Sequence, residues 1–170
     1  MAVSQIINAS LASGVPGKAN LPTGSVLQVV QTYKTDSFST SATSYTNVTG
    51  LSASITPTSA TSKILVMVSV FIDGYQNQNF IALTRNGSLV GKSTAGSTLN
   101  SLANAWGQNS GTDGETLVAN YLDSPATTSA LTYQVQAARQ NSGSSNLFIN
   151  VTTNGTYGGV SSVTLMEIAA

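Results

Sequence analysis

Hydrophobic and polar residues alternate along most of the chain after Ser25. An alternation with a period of two is typical of β-strands that bury one face. It is clearest where Leu131, Tyr133, Val135 and Ala137 alternate with threonine and glutamine. Similar alternation, or a short apolar run, predicts further strands over residues 26–31, 51–56, 64–72, 80–84, 88–90, 116–122, 147–151 and 160–168. We expect the strand at 26–31 to be mostly buried and the one at 64–72 to be central.

Turn residues separate these predicted strands. Asn86-Gly87 lies between two of them and suits a type I′ turn, which needs two positive φ angles. Asp73-Gly74 and Asp123-Ser124-Pro125 are also turn sequences, so we expect the strand at 64–72 to end before Asp73. The two aspartates are expected to accept hydrogen bonds from backbone N–H groups there.

Eight to ten short strands with polar turns between them predict an all-β fold. An open single sheet would leave its apolar face in water, so two packed antiparallel sheets are expected. The predicted architecture is an antiparallel β-sandwich of jelly-roll type that spans residues 25–170, here called the knob.

Residues 1–24 differ from the knob and predict a short extended N-terminal arm. Glycine and proline punctuate this segment, and its apolar residues follow neither a helical nor a strand period beyond one turn of helix. Such an arm needs a surface to lie on, which is its own knob, a neighbouring subunit or a larger assembly. The alternative is a frayed terminus. The residues expected to anchor it to a capsid or an adaptor are Ile6, Ile7, Leu11 and Val15.

The composition is polar without being ionic. Ser, Thr, Asn and Gln make up 70 of the 170 residues, whereas charged residues make up 7%, with six basic and six acidic side chains. An average soluble domain carries about 25% charged residues. The six cations are scattered, so we expect no nucleic-acid binding. No run is long enough to span a membrane, and the N-terminus does not resemble a Sec signal.

The absence of histidine and cysteine limits the chemistry further. It removes the imidazole base, the thiolate nucleophile and the usual zinc, haem and iron–sulfur ligands. Asp113 and Glu115 are the only close acidic pair, which could serve a glycosidase or bind calcium with loop carbonyls. Their spacing does not fit a calcium loop, so we expect no metal site, no cofactor and no enzymatic activity.

Three aromatic residues lie among glycine, asparagine and glutamine, and are candidates for contact with a receptor. They are Tyr75, Trp106 and Tyr157. Flat rings stack on the C–H faces of sugars, amides bind hydroxyl groups, and loops on a rigid sandwich commonly carry binding sites. The alternative is that Trp106 fills a core or an interface between subunits.

Several segments resemble known sequences in both wording and order. They are residues 21–31 (LPTGSVLQVVQ), 41–70 (SATSYTNVTGLSASITPTSATSKILVMVSV), 83–91 (LTRNGSLVG), 121–136 (YLDSPATTSALTYQVQ) and 161–170 (SSVTLMEIAA). Together they resemble the β-sandwich modules of tail fibres and other virion-surface proteins of tailed bacteriophages. The resemblance implies a virion protein, a homotrimer displayed outward, and supplies no active-site residues.

The short arm refines this expectation. Modules of this kind commonly close a long fibre, whereas here Met1 lies only about 20 residues before the knob. A short arm and a trimeric knob suit a capsid decoration (cement) protein or a short head fibre at the virion surface. Its partners would be its own copies and the major capsid protein or another virion protein. The alternative is a tail-fibre tip that binds a host surface glycan.

Overall fold

The computed structural model describes residues 21–74, 78–96, 99–107, 112–141 and 146–170. In these ranges the chain forms eleven strands, and all of their pairings are antiparallel. They are β1 (Val26–Lys34), β2 (Phe38–Thr40), β3 (Thr46–Ile55), β4 (Lys63–Gly74), β5 (Gln78–Arg85), β6 (Ser88–Val90), β7 (Ala103–Trp106), β8 (Glu115–Asp123), β9 (Leu131–Arg139), β10 (Leu147–Ile149) and β11 (Ser161–Ile168).

The strands form two sheets, which confirms the predicted all-β sandwich. In the first sheet, β4 pairs with β8 along one edge and with β11 and then β10 along the other. Beyond them, β1 pairs with β11 and β2 with β10. In the second sheet, β9 lies between β3 and β5, and the far edge of β5 pairs with β6 and β7. The prediction that residues 64–72 form the central strand is confirmed.

Alternation places the core between the sheets. On β4, Ile64, Val66, Val68 and Val70 point inward and are buried, and on β9 Tyr133 and Val135 meet them from the other sheet. The inward positions are thus the apolar phase of each alternating strand, as the sequence predicts.

The Asn86-Gly87 hairpin is also confirmed. Both residues have positive φ angles, 48° and 83°, and Arg85 pairs with Ser88 across the turn. Asn86 also accepts a hydrogen bond at Oδ1 from the Thr132 N–H, 2.8 Å long, which ties the turn to β9.

Some sequence predictions were wrong in detail. Strand β4 does not end before Asp73 but continues through Gly74, because β10 pairs with residues 72–74. The strand at 26–31 is not mostly buried: Val26 and Val29 are exposed, since β1 lies at the edge of its sheet and turns one face to solvent. Strands β2 and β7 were not predicted, and their three and four residues are too few to show a period.

Residues 21–24, at the end of the predicted arm, run beside the C-terminus. The Gly24 N–H donates to the Ala169 carbonyl oxygen over 2.8 Å. The predicted anchoring residues Ile6, Ile7, Leu11 and Val15 lie outside the described residues, and so does Tyr75. The described residues contain no helix that is long and apolar enough to cross a membrane.

Candidate interaction surfaces at the two ends of the sandwich

The antiparallel register gives the knob two distinct ends. Val26, Ile168 and Lys63 are aligned at one end, which also holds residues 21–24. We call this the arm end. The opposite end, called the distal end, carries Gly74, Gln78, Trp106 and the connections over residues 112–115 and 152–158.

At the arm end a buried carboxylate joins three segments. Glu167 on β11 is fully buried, and its Oε1 accepts hydrogen bonds from the Thr58 N–H and hydroxyl, both 2.7 Å long. Its Oε2 accepts a third bond of 2.6 Å from Gln28 Nε2 on β1. Burial alone would raise the pKa of Glu167, but these hydrogen bonds outweigh it and hold the pKa below its ordinary value.

A cavity of about 330 Å³ opens beside this carboxylate. Leu21, Leu27 and Ala170 form its apolar wall, and hydroxyl groups of residues 58–62 form its polar wall. The cavity therefore lies where the arm joins the knob. Its mixed lining gives the arm end a recess that accepts either apolar or polar groups.

A second buried carboxylate bridges the two sheets at the arm end. Asp123, at the end of β8, accepts bonds of 2.8 and 2.7 Å from Arg85 Nη1 on β5, and one of 2.6 Å from the Tyr133 hydroxyl on β9. The hydrogen bond to Asp123 raises the pKa of Arg85, and burial is the main cause of a raised pKa at Tyr133. The predicted role of Asp123, capping a backbone N–H in a turn, was wrong, because Arg85 and Tyr133 reach it across the core.

Asp73 has the capping role that the sequence predicts, although inside a strand. Its Oδ1 accepts from the Gly74 N–H and its Oδ2 from the Thr153 N–H, each over 2.7 Å. The second bond ties the connection over residues 152–158 to the end of β4. This places the connection at the distal end.

Glycines bring the remaining distal segments against β4. Gly107 follows β7 and packs on the Gly74 backbone, where a Cβ would overlap the Gly74 carbonyl oxygen. Gly114 and Gly159 both pack against the Phe71 ring, from before β8 and before β11. Three segments distant in sequence therefore converge on residues 71–74 of β4.

The structure brings two of the predicted receptor-contact residues to this same end. Trp106 is 56% exposed and pairs with Gln78, and Tyr157 is 58% exposed in the connection over 152–158. The prediction of a loop position for Trp106 was wrong, because it is the last residue of β7. Its exposure also excludes a role in the core of its own subunit. Tyr75 belongs to the connection between Gly74 and Gln78, outside the described residues.

The connection that carries Tyr157 is closely hydrogen bonded. The Thr152 N–H donates to the Tyr157 carbonyl oxygen over 2.8 Å, and the Tyr157 N–H donates to Thr152 Oγ1 over 3.0 Å. Asn150, just before it, donates from Nδ2 to the carbonyl oxygens of Lys34 and Asp36. The ring of Tyr157 is thus presented to solvent from a backbone fixed on both sides.

The predicted acidic pair is exposed near the distal end. Asp113 accepts a long bond of 3.4 Å from the Thr112 hydroxyl, and Glu115 begins β8 opposite Ile72. Among the described residues, no three histidine, cysteine, aspartate or glutamate side chains come together as metal ligands would. Glu167 was missed as an organising residue, although its position on a strand whose alternate residues are apolar is a signal for burial.

Comparison with known proteins adds little at the level of sequence. No family model matches the chain, and no curated protein matches it. The fold defines it as a two-sheet antiparallel β-sandwich protein.

Solved structures of infectious bursal disease virus are similar to this chain. The structure of its Gx strain covers 86% of the chain at 11% identity with a TM-score of 0.42, and that of its Gt strain covers 87% at 14% identity with a TM-score of 0.45. T=1 particles of its D431N mutant VP2 protein cover 84% at 13% identity with a TM-score of 0.41. The chain spans 43%, 39% and 36% of those chains, respectively. A likeness this distant says nothing about what this chain binds or builds.

Proposed function

We propose that this chain is a structural protein of a bacteriophage virion, a homotrimeric capsid decoration (cement) protein or short head fibre that faces outward. The observation that carries the proposal is that the two ends of the knob differ. The arm joins at one end, and the exposed aromatic residues Trp106 and Tyr157 lie at the other. A protein held by its arm would therefore display these residues away from the particle.

The near absence of charge supports this proposal. A particle that displays many copies of a strongly charged protein suffers repulsion between them. This chain has a formal net charge of zero and only twelve ionic side chains. The sequence resemblance over residues 21–170 supports the same conclusion. In this proposal the chain performs no catalysis and uses no cofactor.

Immunolabelling of the native phage particle tests the location. We expect an antibody against this chain to label the whole head in negative-stain micrographs. Label confined to the tail would support the alternative of a tail fibre. Particles without label, although the chain is expressed during infection, would contradict both.

The anchoring role of the arm is tested by the number of copies bound. We expect the double substitution Ile6→Ser and Ile7→Ser to reduce the copies per particle at least tenfold, because it removes apolar contacts with the capsid or adaptor. The control is Ser10→Asn, a polar exchange in the same segment, which should bind as wild type does. Equal binding of both variants would exclude these residues as the anchor.

A tail-fibre tip that binds a host surface glycan is the second candidate function. The convergence of Trp106 and Tyr157 on the distal end favours it, because exposed rings beside amide-rich connections suit sugar stacking. We expect binding on a glycan array to be lost on Trp106→Ala or Tyr157→Ala without a change in melting temperature. Leu89→Ala, at an exposed apolar residue of β6 away from the distal end, is the control. No binding by the wild-type oligomer would contradict this function.

A further inference from the structure

The outward faces of the two sheets differ in chemistry. Where β3 pairs with β9, the outward face carries hydroxyl and amide side chains that bind one another. The Ser54 and Thr132 hydroxyl oxygens are 2.8 Å apart, and Gln136 Nε2 donates to Asn47 Oδ1 over 2.8 Å. This face satisfies its own polar groups, as expected of a surface in contact with water.

The outward face of the β8-β4-β11-β1 sheet is largely apolar. On each of these strands the outward residues alternate with the inward ones. The pairing of β8, β4, β11 and β1 aligns the outward residues in three rows across the four strands. The rows, from β8 to β1, are Leu122, Leu65, Met166, Val29; then Asn120, Met67, Thr164, Gln31; then Val118, Ser69, Ser162, Tyr33. We call these twelve residues the apolar sheet face.

Large side chains on this face are in contact with solvent. The exposed fraction is 65% at Val118 and 59% at Tyr33, and Val29, Leu122 and Met67 are also exposed. A shallow depression of about 230 Å³ crosses the middle row between Gln31 and Asn120. Seven of the twelve side chains are apolar or aromatic, and the first row is wholly apolar. Exposed apolar surface of this kind marks an interaction site on soluble proteins.

The face is also free of charge. None of its twelve residues is ionic, and its polar members are neutral groups such as Gln31, which donates to Thr164 Oγ1 over 2.8 Å. Lys63, at the arm end of β4, continues the outward phase of that strand and lies at the rim. An uncharged centre with charge at the rim is the composition of a protein–protein interface.

The outward side of the four strands is close in size to a stable interface. The twelve residues of the apolar sheet face span five positions on each strand, which gives a flat footprint of roughly 330 Å² for strands about 4.8 Å apart. A standard interface buries roughly 800 Å² of accessible surface on each partner, so the contact also includes the strand ends beyond the three rows, where the four strands together measure roughly 570 Å².

We propose that the apolar sheet face packs against a second copy of this chain and forms the subunit contact of the oligomer. A partner must be as apolar and as uncharged as this face, and the chain itself supplies such a surface. Because the net charge is zero, long-range repulsion between copies is small. This inference rests on the proposed function, in which the chain is a homo-oligomer, and it identifies the surface through which the subunits contact one another.

Added charge tests the assignment. We expect the full-length wild type to sediment as an oligomer. The double variant Val118→Lys with Leu122→Lys should have a dissociation constant at least tenfold higher, because each lysine would be desolvated in the contact. The matched control places the same charges on the polar face, as Thr132→Lys with Gln136→Lys, and should remain oligomeric. All four positions are on outward faces, and circular dichroism melts verify folding.

Cross-linking provides a second test that does not require dissociation. The chain has no cysteine, so Val118→Cys supplies a single thiol on the face. We expect the reagent bismaleimidoethane to join Val118→Cys subunits covalently and to leave Thr132→Cys subunits single.

The outcomes separate this inference from the proposed function. A monomeric wild type would overturn the interface, and an oligomer equally resistant to both lysine pairs would overturn the assignment to this face. In the second case labelling of the phage head could still support the virion role. Conversely, dissociation of the Val118 and Leu122 variant alone, with no label on any particle, would support the interface and contradict the virion role.

Discussion

Single buried ionic residues have a structural role in a chain with so few charges. Within the described part of the chain, Glu167 forms no ion pair and is held by the Thr58 backbone and hydroxyl and by Gln28. Hydrogen bonds to a charged acceptor stabilise more than bonds between neutral groups. The carboxylate therefore holds β1, β11 and the connection after β3 together where the arm begins.

Glu167→Gln should lower stability and flatten its dependence on acid pH. The pKa of Glu167 is lowered in the folded state, so its stabilisation is complete above the ordinary value of 4.5 and is lost as the pH falls through the folded pKa. At pH 7 we expect a loss of about 2 kcal/mol, since a hydrogen bond to a charged group contributes about 1.5–3 kcal/mol.

Melting temperatures at pH 7 and pH 3 measure both effects. The drop between the two should be smaller in Glu167→Gln than in wild type. Glu115→Gln, at an exposed glutamate, serves as the control and should keep the wild-type profile. A profile of Glu167→Gln that is parallel to wild type would contradict this role.

At the scale of elements, close backbone contacts decide how the distal connections meet. Strand β7 has four residues and pairs only with the beginning of β5. Its position is fixed by Gly107, whose missing side chain lets the chain pass against Gly74. The exposure of Trp106, one residue earlier, depends on this contact.

Gly107→Ala should destabilise the distal end. The added Cβ would overlap the Gly74 carbonyl oxygen, so either β7 or the end of β4 must shift. We expect a cost of about 2 kcal/mol, as for overpacked interiors. Asn104→Ala, at an exposed residue of β7, should cost far less.

Urea denaturation measures the cost, and Trp106 fluorescence reports the local change, because it is the only tryptophan in the chain. A blue or red shift of the folded-state emission in Gly107→Ala alone is expected. An unchanged midpoint together with an unchanged spectrum would exclude a tight contact here.

For the whole molecule, the two sheets are joined by side chains as well as by the apolar core. Asp123 belongs to β8 in one sheet, while Arg85 and Tyr133 belong to the other. The Asp123 carboxylate is buried, whereas the Arg85 side chain is 30% exposed, so the loss of Asp123 leaves a partly hydrated cation without its partner. This cluster therefore locks the sandwich at the arm end.

Asp123→Asn should cost about 2 kcal/mol, within the range of about 1.5–3 kcal/mol for a hydrogen bond to a charged group, because Arg85 keeps part of its hydration. Asp113→Asn is the matched control at an exposed aspartate and should change stability by less than about 0.5 kcal/mol. Thermal unfolding followed by circular dichroism distinguishes them. Equal stability of the two variants would show that the Arg85–Asp123 pair does not hold the sheets together.

Much of the fold was predictable because alternation is local. The inward residues of β9 and the central role of β4 follow from the pattern of apolar residues alone. The exposure of Val29 was not predictable, because alternation does not show whether the second face of a strand contacts protein or solvent. The burial of Glu167 was missed for a different reason. Alternation places Glu167 in the inward phase, but the Thr58 groups that stabilise its buried carboxylate come from another part of the chain.

The candidate site was predictable only as separate residues. The sequence identifies Trp106 and Tyr157 as aromatic residues among small polar ones, but they are about 50 residues apart. Their shared location depends on Gly107 against Gly74 and on Thr153 bound to Asp73. Such contacts are set by strand register, which a single sequence does not specify.

The sequence by itself determined nine of the eleven strands in the described residues, the Asn86-Gly87 turn, the small number of charges and the exclusion of imidazole and thiolate chemistry. These features depend on residue type and on neighbours along the chain. Only the tertiary structure decided that residues 21–24 and the exposed aromatic residues lie at opposite ends, and that exposed apolar side chains gather on the outward face of one sheet. The physical reason is that a surface is built from residues of several strands. The pairing of β8, β4, β11 and β1 brings these residues together although they are far apart in the sequence.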